Sequence, residues 1–275
     1  MSSKVNDYIQ SELINREVLN RYYNIWKENY NNSVNNGNSN LLETIARFKE
    51  LKDNECYCLD KSSVRVLEII NAQIKTENIT DITKYTPFTK IGSKSTNIDY
   101  SLKEINWYLD MNLSIDGLQP TPTIWTLVAD KNRIINSNYG YIIFSDNNKN
   151  QFLNAICAIL ENIYTRRSIM IYQCPEMHYK YKENNRNDFV CTISHQFIVR
   201  KNKNEYTLNS IINMRSQDFI YGYLNDIVWF NYVHFLGYEI LTKIIPEITI
   251  NRHNIYLNVG SLHIYEKHFK LLDNK

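Results

Sequence analysis

Cys191 stands at the head of a β-rich run that continues to Val199. A thiol attacks as its thiolate, so it is a nucleophile only where nearby positive charge favours ionisation; elsewhere a buried cysteine is a small inert hydrophobe. Arg166-Arg167 and Arg215-Ser216 offer guanidinium forks that match phosphate oxygens, although either set can equally serve as an exposed salt-bridge partner. The chain has 7 glycines and no G-x-G-x-x-G or G-x-x-x-x-G-K pattern, so phosphate must be held by side chains. Asp218 and Asp226 flank the stretch FIYGYLN. Asn225-Asp226 reads as a helix N-cap, or Asp226 faces a cleft and pairs with the amidine-like edge of a base. His263 and Tyr265 alternate with Leu262 and Ile264, which brings both polar tips to one side of a strand; a satisfied core histidine is the alternative. Cys56 and Cys58 have no second Cys/His pair at ligand spacing, and no metal is expected.

The elements that must position these residues follow from hydrophobic periodicity. Val5, Ile9, Leu13, Val18, Tyr22 and Ile25 predict a helix within 5–30, and the polar tract NNSVNNGNSN at 31–40 reads as a linker. A second helix is expected from Leu41 to Leu51, and VRVLEII at 64–70 suits a buried strand. Ser101 with Glu104 forms a capping-box pattern that would open a helix through Tyr108. Residues 151–163 carry one apolar helical face, and 227–245 is apolar nearly all round until Pro246, as a central buried helix requires. Strands are expected at 168–172, 193–199, 207–213 and 255–259. Without a regular βα alternation, the pattern favours an α+β sheet over a doubly wound one.

Length and charge bound the function. The 275 residues, 43% hydrophobic, suffice for one main domain, expected to start near residue 41 after an extension and linker over 1–40. With 31 Lys and Arg against 29 Asp and Glu, a net charge of +2 argues against a nucleic-acid coat or a membrane-seeking patch. There is no apolar run of about eighteen residues, the first ten residues are polar, and the five irregularly spaced cysteines fit a reducing compartment; a cytoplasmic protein is expected.

Taken in order, Cys191, Gln196-Phe197, Arg215-Ser216-x-Asp218, Gly222 and Gly260-x-x-His263-x-Tyr265 resemble the signature of the thymidylate synthase superfamily. Upstream, Glu104-x-x-Trp107 resembles that family's Glu-Leu-Leu-Trp helix, Ile124-Trp125 its active-site tryptophan, Tyr139-Gly140 its Tyr-Gly, and Arg166-Arg167 its phosphate-binding pair, so that the likeness spans 41–275. Two positions depart from the synthases: Thr192 follows the cysteine where they have histidine, and Asp226 stands at their base-reading asparagine. Both departures point to the family's phage deoxycytidylate hydroxymethylases, which the chain resembles in INSNYG (135–140), RRSIMIY (166–172), DFVCT (188–192), NMRSQD (213–218) and NVGSLHIY (258–265). Asp60-Lys61-Ser62-Ser63 replaces an Arg-Thr-Gly-Thr loop, residues 1–40 have no counterpart, and the tail that closes over folate looks shortened.

The resemblance implies an α+β fold, a mixed sheet packed with helices, and a homodimer through a sheet face. It implies transfer of a one-carbon unit from 5,10-methylenetetrahydrofolate to carbon 5 of a cytosine nucleotide, dCMP first among them, through a covalent adduct of Cys191. Glu104, Tyr139 and Asp226 would join Cys191 in catalysis. Lys61, Arg215, Ser216 and, from a second subunit, Arg166 and Arg167 would hold phosphate; His263 and Tyr265 the sugar; Asp226 the base; Asp218, Trp125 and Gly222 the folate. The alternatives are a thymidylate synthase, a hydroxymethylase for dUMP or CMP, and a catalytically silent relative that binds nucleotide or RNA. The intact Cys191, Arg215, Asp218 and Glu104 argue against silence.

Overall fold

The computed structural model describes residues 16–32, 40–77 and 98–273. The chain runs α1 (Arg16–Asn32), α2 (Leu41–Asp53), β1 (Cys58–Leu59), β2 (Arg65–Glu77), α3 (Ile98–Leu109), α4 (Thr123–Val128), α5 (Tyr139–Phe144), α6 (Gln151–Glu161), β3 (Ile169–Ile171), α7 (Met177–Lys180), β4 (Thr192–Asn202), β5 (Glu205–Asp218), α8 (Gly222–Ile244) and β6 (Ile250–Tyr265), then a 3-10 turn at Glu266–Asp273. The strands form one sheet in the order β1-β2-β6-β5-β4-β3. All neighbours are antiparallel except β5 and β6, which run parallel. A parallel pair needs a crossover, and α8 supplies it. The expected α+β class with a mixed sheet is what the chain adopts.

Leu208, Ser210, Ile212 and Met214 of β5 and Ile255, Leu257 and Val259 of β6 turn one sheet face towards the helices. Against that face lies α8, buried from Tyr223 to Leu241 along most of its surface, as its all-round apolar sequence demands. The expected helix at 151–163 is α6, with Phe152, Ala155, Ile156 and Ile159 inward. Asn40 bridges α2 to β2: its amide donates to the Gln73 carbonyl at 2.9 Å and accepts from the Lys75 N–H at 2.8 Å, covering backbone that the short β1 leaves unpaired.

In α1 the residues Val18, Leu19, Tyr22, Tyr23 and Trp26 share one buried stripe. Each end of that stripe is tied by polar tips. Tyr23 donates to the Leu102 carbonyl of α3 at 2.9 Å, Trp26 Nε1 to Asn231 Oδ1 of α8 at 3.0 Å, and Tyr232 of α8 back to the Leu19 carbonyl at 3.1 Å. The helix therefore braces α3 and α8 together. The expected helical segment before residue 16 lies outside the described residues, as do residues 33–39 of the linker expected at 31–40; Asn31 and Asn32 still belong to α1, which corrects the linker's start, and Asn40 leads into α2.

Two local expectations are corrected. Helix α3 is already under way at Ile98, so Ser101 lies inside it and is not its cap; the Ser101 hydroxyl instead donates to Asn225 Oδ1 at 2.7 Å. Helix α8 opens at Gly222, which makes Asn225-Asp226 part of its first turns and removes the N-cap reading of Asp226. In both cases a tertiary partner decides what the local pattern left open.

Candidate active site

Cys191 immediately precedes β4, where the pairing with β5 is irregular between Thr192 and Ser194. Such an irregularity re-aims side chains at the end of a strand. Across it, the Arg215 guanidinium wraps the incoming segment: Nε donates to the Val190 carbonyl at 3.1 Å, Nη2 to the Phe189 carbonyl at 2.6 Å, and Nη2 lies 3.4 Å from Cys191 Sγ. The Phe189 ring sits under the same guanidinium at 4.9 Å. On the other side of Arg215, β6 comes so close that a Cβ on Gly260 would stand 2.8 Å from the Arg215 carbonyl oxygen. Glycine is required there by that approach.

Burial pushes the Cys191 thiol up to about 11. Arg215 pulls it down, Asp226 and Asp188 push it further up, and Lys61 pulls it down. The field of Arg215 and Lys61 favours the thiolate, and loss of water around sulfur outweighs it.

Two carboxyls face this region from the two helices that α1 braces. Glu104, on α3, is 6% exposed and accepts hydrogen bonds from the Tyr100 hydroxyl and from Trp125 Nε1, the latter at 3.3 Å. Trp125 Nε1 also donates to the Tyr100 hydroxyl at 2.9 Å. Burial raises Glu104 to about 8, opposed by the Tyr100 bond and reinforced by Asp226. Asp226, on α8, is raised by burial to about 7, and a hydrogen bond from Gln217 Nε2 at 2.7 Å opposes the rise. Both groups therefore exchange protons near neutrality, the property general acid-base chemistry needs.

That property carries a stability cost with a definite sign. Below the ordinary carboxylate range Glu104 is protonated whether the chain is folded or not, and costs nothing. Above it the unfolded chain ionises while the folded chain still holds the proton, so stability falls as pH climbs until Glu104 itself ionises near pH 8. Glu104→Gln is expected to raise stability at alkaline pH by on the order of 1–3 kcal/mol while lowering activity, with the gain vanishing towards pH 4. Thermal melts of parent and variant across pH test this; a constant difference at all pH values contradicts it.

Tyr139, at the start of α5, is buried, stacks on Tyr108 at 5.3 Å, and its hydroxyl accepts from Thr192 Oγ1 at 2.9 Å. Thr192, noted in the sequence as a replacement for histidine, is thus the residue that orients Tyr139. His263 and Tyr265 do share one side of β6, their rings 5.1 Å apart and perpendicular, and His263 pairs in register with Asp218. Asp218 Oδ1 accepts from the Ile220 and Tyr221 N–H groups at 2.8 and 3.3 Å, fixing the turn that opens α8. Ser216 follows Arg215 and is half-buried. Lys61 is exposed in a turn that Asp60 closes by accepting from the Ser62 and Val64 N–H groups at 2.8 and 3.0 Å. Arg166 and Arg167 are exposed and make their contacts elsewhere: the Arg166 carbonyl accepts from Gln196 Nε2 at 2.7 Å, and Arg167 lies 3.9 Å from Glu161. Gly222 abuts the Gln217 amide.

Three contacts, Tyr100 to Glu104, Thr192 to Tyr139 and Gln217 to Asp226, escape a reading of the sequence. Tyr100 lies one helical turn before Glu104 in α3, and that spacing is the one signal pointing to it. Thr192 and Gln217 give no periodic signal. Among the described residues, no group of three His, Cys, Asp or Glu is arranged to hold a metal ion, and no helix is long and apolar enough to cross a membrane.

A cysteine under an arginine fork, with Asp226 of α8 in its electrostatic reach and Glu104 of α3 in that of Asp226, sits on a mixed sheet, and the sequence from residue 46 to 275 matches the thymidylate synthase family model. The chain belongs to the thymidylate synthase family. Within it, the chain is 34% identical over 219 residues to the deoxycytidylate 5-hydroxymethyltransferase of enterobacteria phage T6, covering 79% of this chain and 83% of that protein. It is 33% identical over 226 residues to the enzymes of the same name from phages T4 and T2, with the same coverage.

Proposed function

We propose that this protein is a deoxycytidylate 5-hydroxymethyltransferase, an enzyme that adds a one-carbon unit to carbon 5 of dCMP and hydrates it to a hydroxymethyl group. The observation that carries the reading is Asp226, a carboxyl titrating near 7 in the same electrostatic neighbourhood as Cys191. Cys191 adds to carbon 6 of the base, which makes carbon 5 nucleophilic. Arg215, 3.4 Å from Sγ, stabilises the charge as the thiol loses its proton. Glu104 and Tyr139 organise water for proton transfers on and off the ring. Arg215, Ser216 and Lys61 hold the phosphate, and His263 with Tyr265 the sugar hydroxyl.

Methylenetetrahydrofolate supplies the one-carbon unit. The residues fit a flat pterin: α4 presents Ile124 and Leu127, 60% and 69% exposed, beside Trp125, and Asp218 uses Oδ1 in its own turn and keeps Oδ2 for ring N–H donors. Loss of the carbon-5 proton with departure of tetrahydrofolate would leave an exocyclic methylene on carbon 5, water adding there would give hydroxymethyl, and expulsion of the Cys191 thiolate from carbon 6 would restore the ring double bond. Incubation with methylenetetrahydrofolate and dCMP, CMP or dUMP, followed by product mass, tests the reading. Added formaldehyde on dCMP supports it; an added methyl group, or no product from dCMP, overturns it.

The sheet face away from the helices supports a homodimer. Ile169, Ile171 and Ile193 are exposed on it, and an amide ladder runs across it from Asn258 Nδ2 to Asn213 Oδ1 at 3.1 Å and from Asn213 Nδ2 to Ser194 Oγ at 3.0 Å. Joined face to face, two copies would supply Arg166 and Arg167 to each other's phosphate site. Mixing Arg167→Ala with Cys191→Ser chains, each inactive alone, is expected to restore about one quarter of the sites, since half the dimers are mixed and each holds one intact site. A fully active monomer contradicts it.

A further inference from the structure

Gln217 stands where the alternation of β5 breaks. Leu208, Ser210, Ile212 and Met214 are buried at every second position, yet the next buried residue is Gln217, three places on, and it is 2% exposed. A carboxamide held out of water needs partners at both ends. Gln217 Nε2 donates to Asp226 Oδ2 at 2.7 Å, while Gln217 Oε1 is buried without a hydrogen-bond partner among the described residues. Gly222 makes this seat possible, because a Cβ there would stand 2.9 Å from Gln217 Nε2, closer than such atoms approach.

We propose that Gln217 is a specificity-determining positioning residue: by donating to Oδ2 of Asp226 it keeps that oxygen an acceptor, leaves Oδ1 to carry the proton that cytosine's ring nitrogen 3 requires, and depends on Gly222 for its place. The inference rests on Asp226 as the base-reading group. An oxygen that already accepts an N–H bond is the poorer site for a proton, so the acid form of Asp226 has one preferred tautomer. Oδ2 then accepts from the exocyclic amino group, and Oδ1–H donates to nitrogen 3. Uracil presents the reverse pattern, a carbonyl and an N–H, and meets the wrong oxygen at both positions. Without Gln217 the proton is free to sit on either oxygen, and discrimination weakens. Facing the ionised carboxylate, the amide cannot turn over to satisfy Oε1 without setting one acceptor against another at Oδ2.

Gln217→Leu keeps the volume and removes the donor. Measured as kcat/KM for dCMP and for dUMP across the neutral pH range, it is expected to lower the dCMP-to-dUMP ratio about tenfold and to move the Asp226 ionisation upwards, since the lost bond favoured the carboxylate. Gly222→Ala, which displaces the amide instead of deleting it, should shift the ratio and the pH profile in the same direction, and the double variant should add little to either single one. Gln217→Met serves as a second donor-free variant if leucine impairs folding. An unchanged ratio and pH profile in folded variants overturns the proposal, as does an equal loss on both nucleotides, the mark of a merely structural role. If Asp226→Asn itself leaves the ratio unchanged, the reading of Asp226 has failed first, and that outcome is distinguishable because it does not involve Gln217.

Discussion

Cys191→Ser is expected to lower turnover of dCMP by roughly 10⁴-fold while leaving nucleotide binding nearly intact. The residues assigned to phosphate and sugar, Arg215, Ser216, Lys61, His263 and Tyr265, are untouched by the change, and serine is smaller than cysteine by a fraction of a van der Waals radius. The attacking atom, however, passes from a thiol that burial has pushed up to about 11 to an alcohol whose ionisation is far harder still. The Arg215 guanidinium at 3.4 Å can lower the cost of a thiolate but cannot make an alkoxide accessible. Turnover and calorimetric binding of dCMP measured side by side check the split; near-parental turnover removes Cys191 from the mechanism. The other four thiols, Cys56, Cys58 and Cys174 on the surface and Cys157 on α6, should each tolerate serine with activity retained. The high value for Cys191 also predicts that its alkylation by iodoacetamide accelerates with rising pH well beyond neutrality.

The second large effect lies in base choice. Parental protein is expected to prefer dCMP over dUMP by at least about tenfold in kcat/KM, because one mismatched pair of buried polar groups costs on the order of 1–3 kcal/mol and 1.4 kcal/mol is a decade. Asp226→Asn should move the ratio towards dUMP, since an amide donates to the carbonyl at carbon 4 and accepts from the N–H at position 3. With Asp226 near 7, the acid form that donates to ring nitrogen 3 is plentiful at and below neutrality and lost above it. The preference for dCMP should accordingly fade at alkaline pH in the parent and show no such dependence in Asp226→Asn. A parent that prefers dUMP, or a variant with an unchanged ratio, overturns the cytosine assignment.

Elements are legible in the sequence where one periodicity acts alone. The all-round apolar run forms α8, the one-faced run at 151–163 forms α6, and the β-branched runs form strands, because burial of apolar surface is the strongest force on these segments and leaves its period in the sequence. Helix starts are not legible: Ser101 and Asp226 both carry local capping signals, and both are drawn into helices by partners more than a hundred residues away or on a neighbouring strand. The candidate site residues stand out through their order along the chain, not through any property of a single one. What no spacing announces is how they hold one another. Thr192 on Tyr139, Tyr100 on Glu104 and Gln217 on Asp226 are contacts set by how the sheet, its crossover and the helices pack. The direction in which Cys191 shifts is hidden for the same reason, since charge is visible in a sequence and the exclusion of water is not.

The aromatic stripe of α1 has a practical consequence for anyone trimming the chain to its shared region. The family match begins at residue 46, whereas Leu19, Tyr22, Tyr23 and Trp26 lie upstream and are nearly inaccessible. A shortened polypeptide starting at the match would uncover Tyr232, strip Asn231 of its indole partner, and present a broad greasy face on the very helix that carries Asp226. Such faces recruit one another. The shortened form would clump during expression, and an absence of activity in it would report solubility, not chemistry.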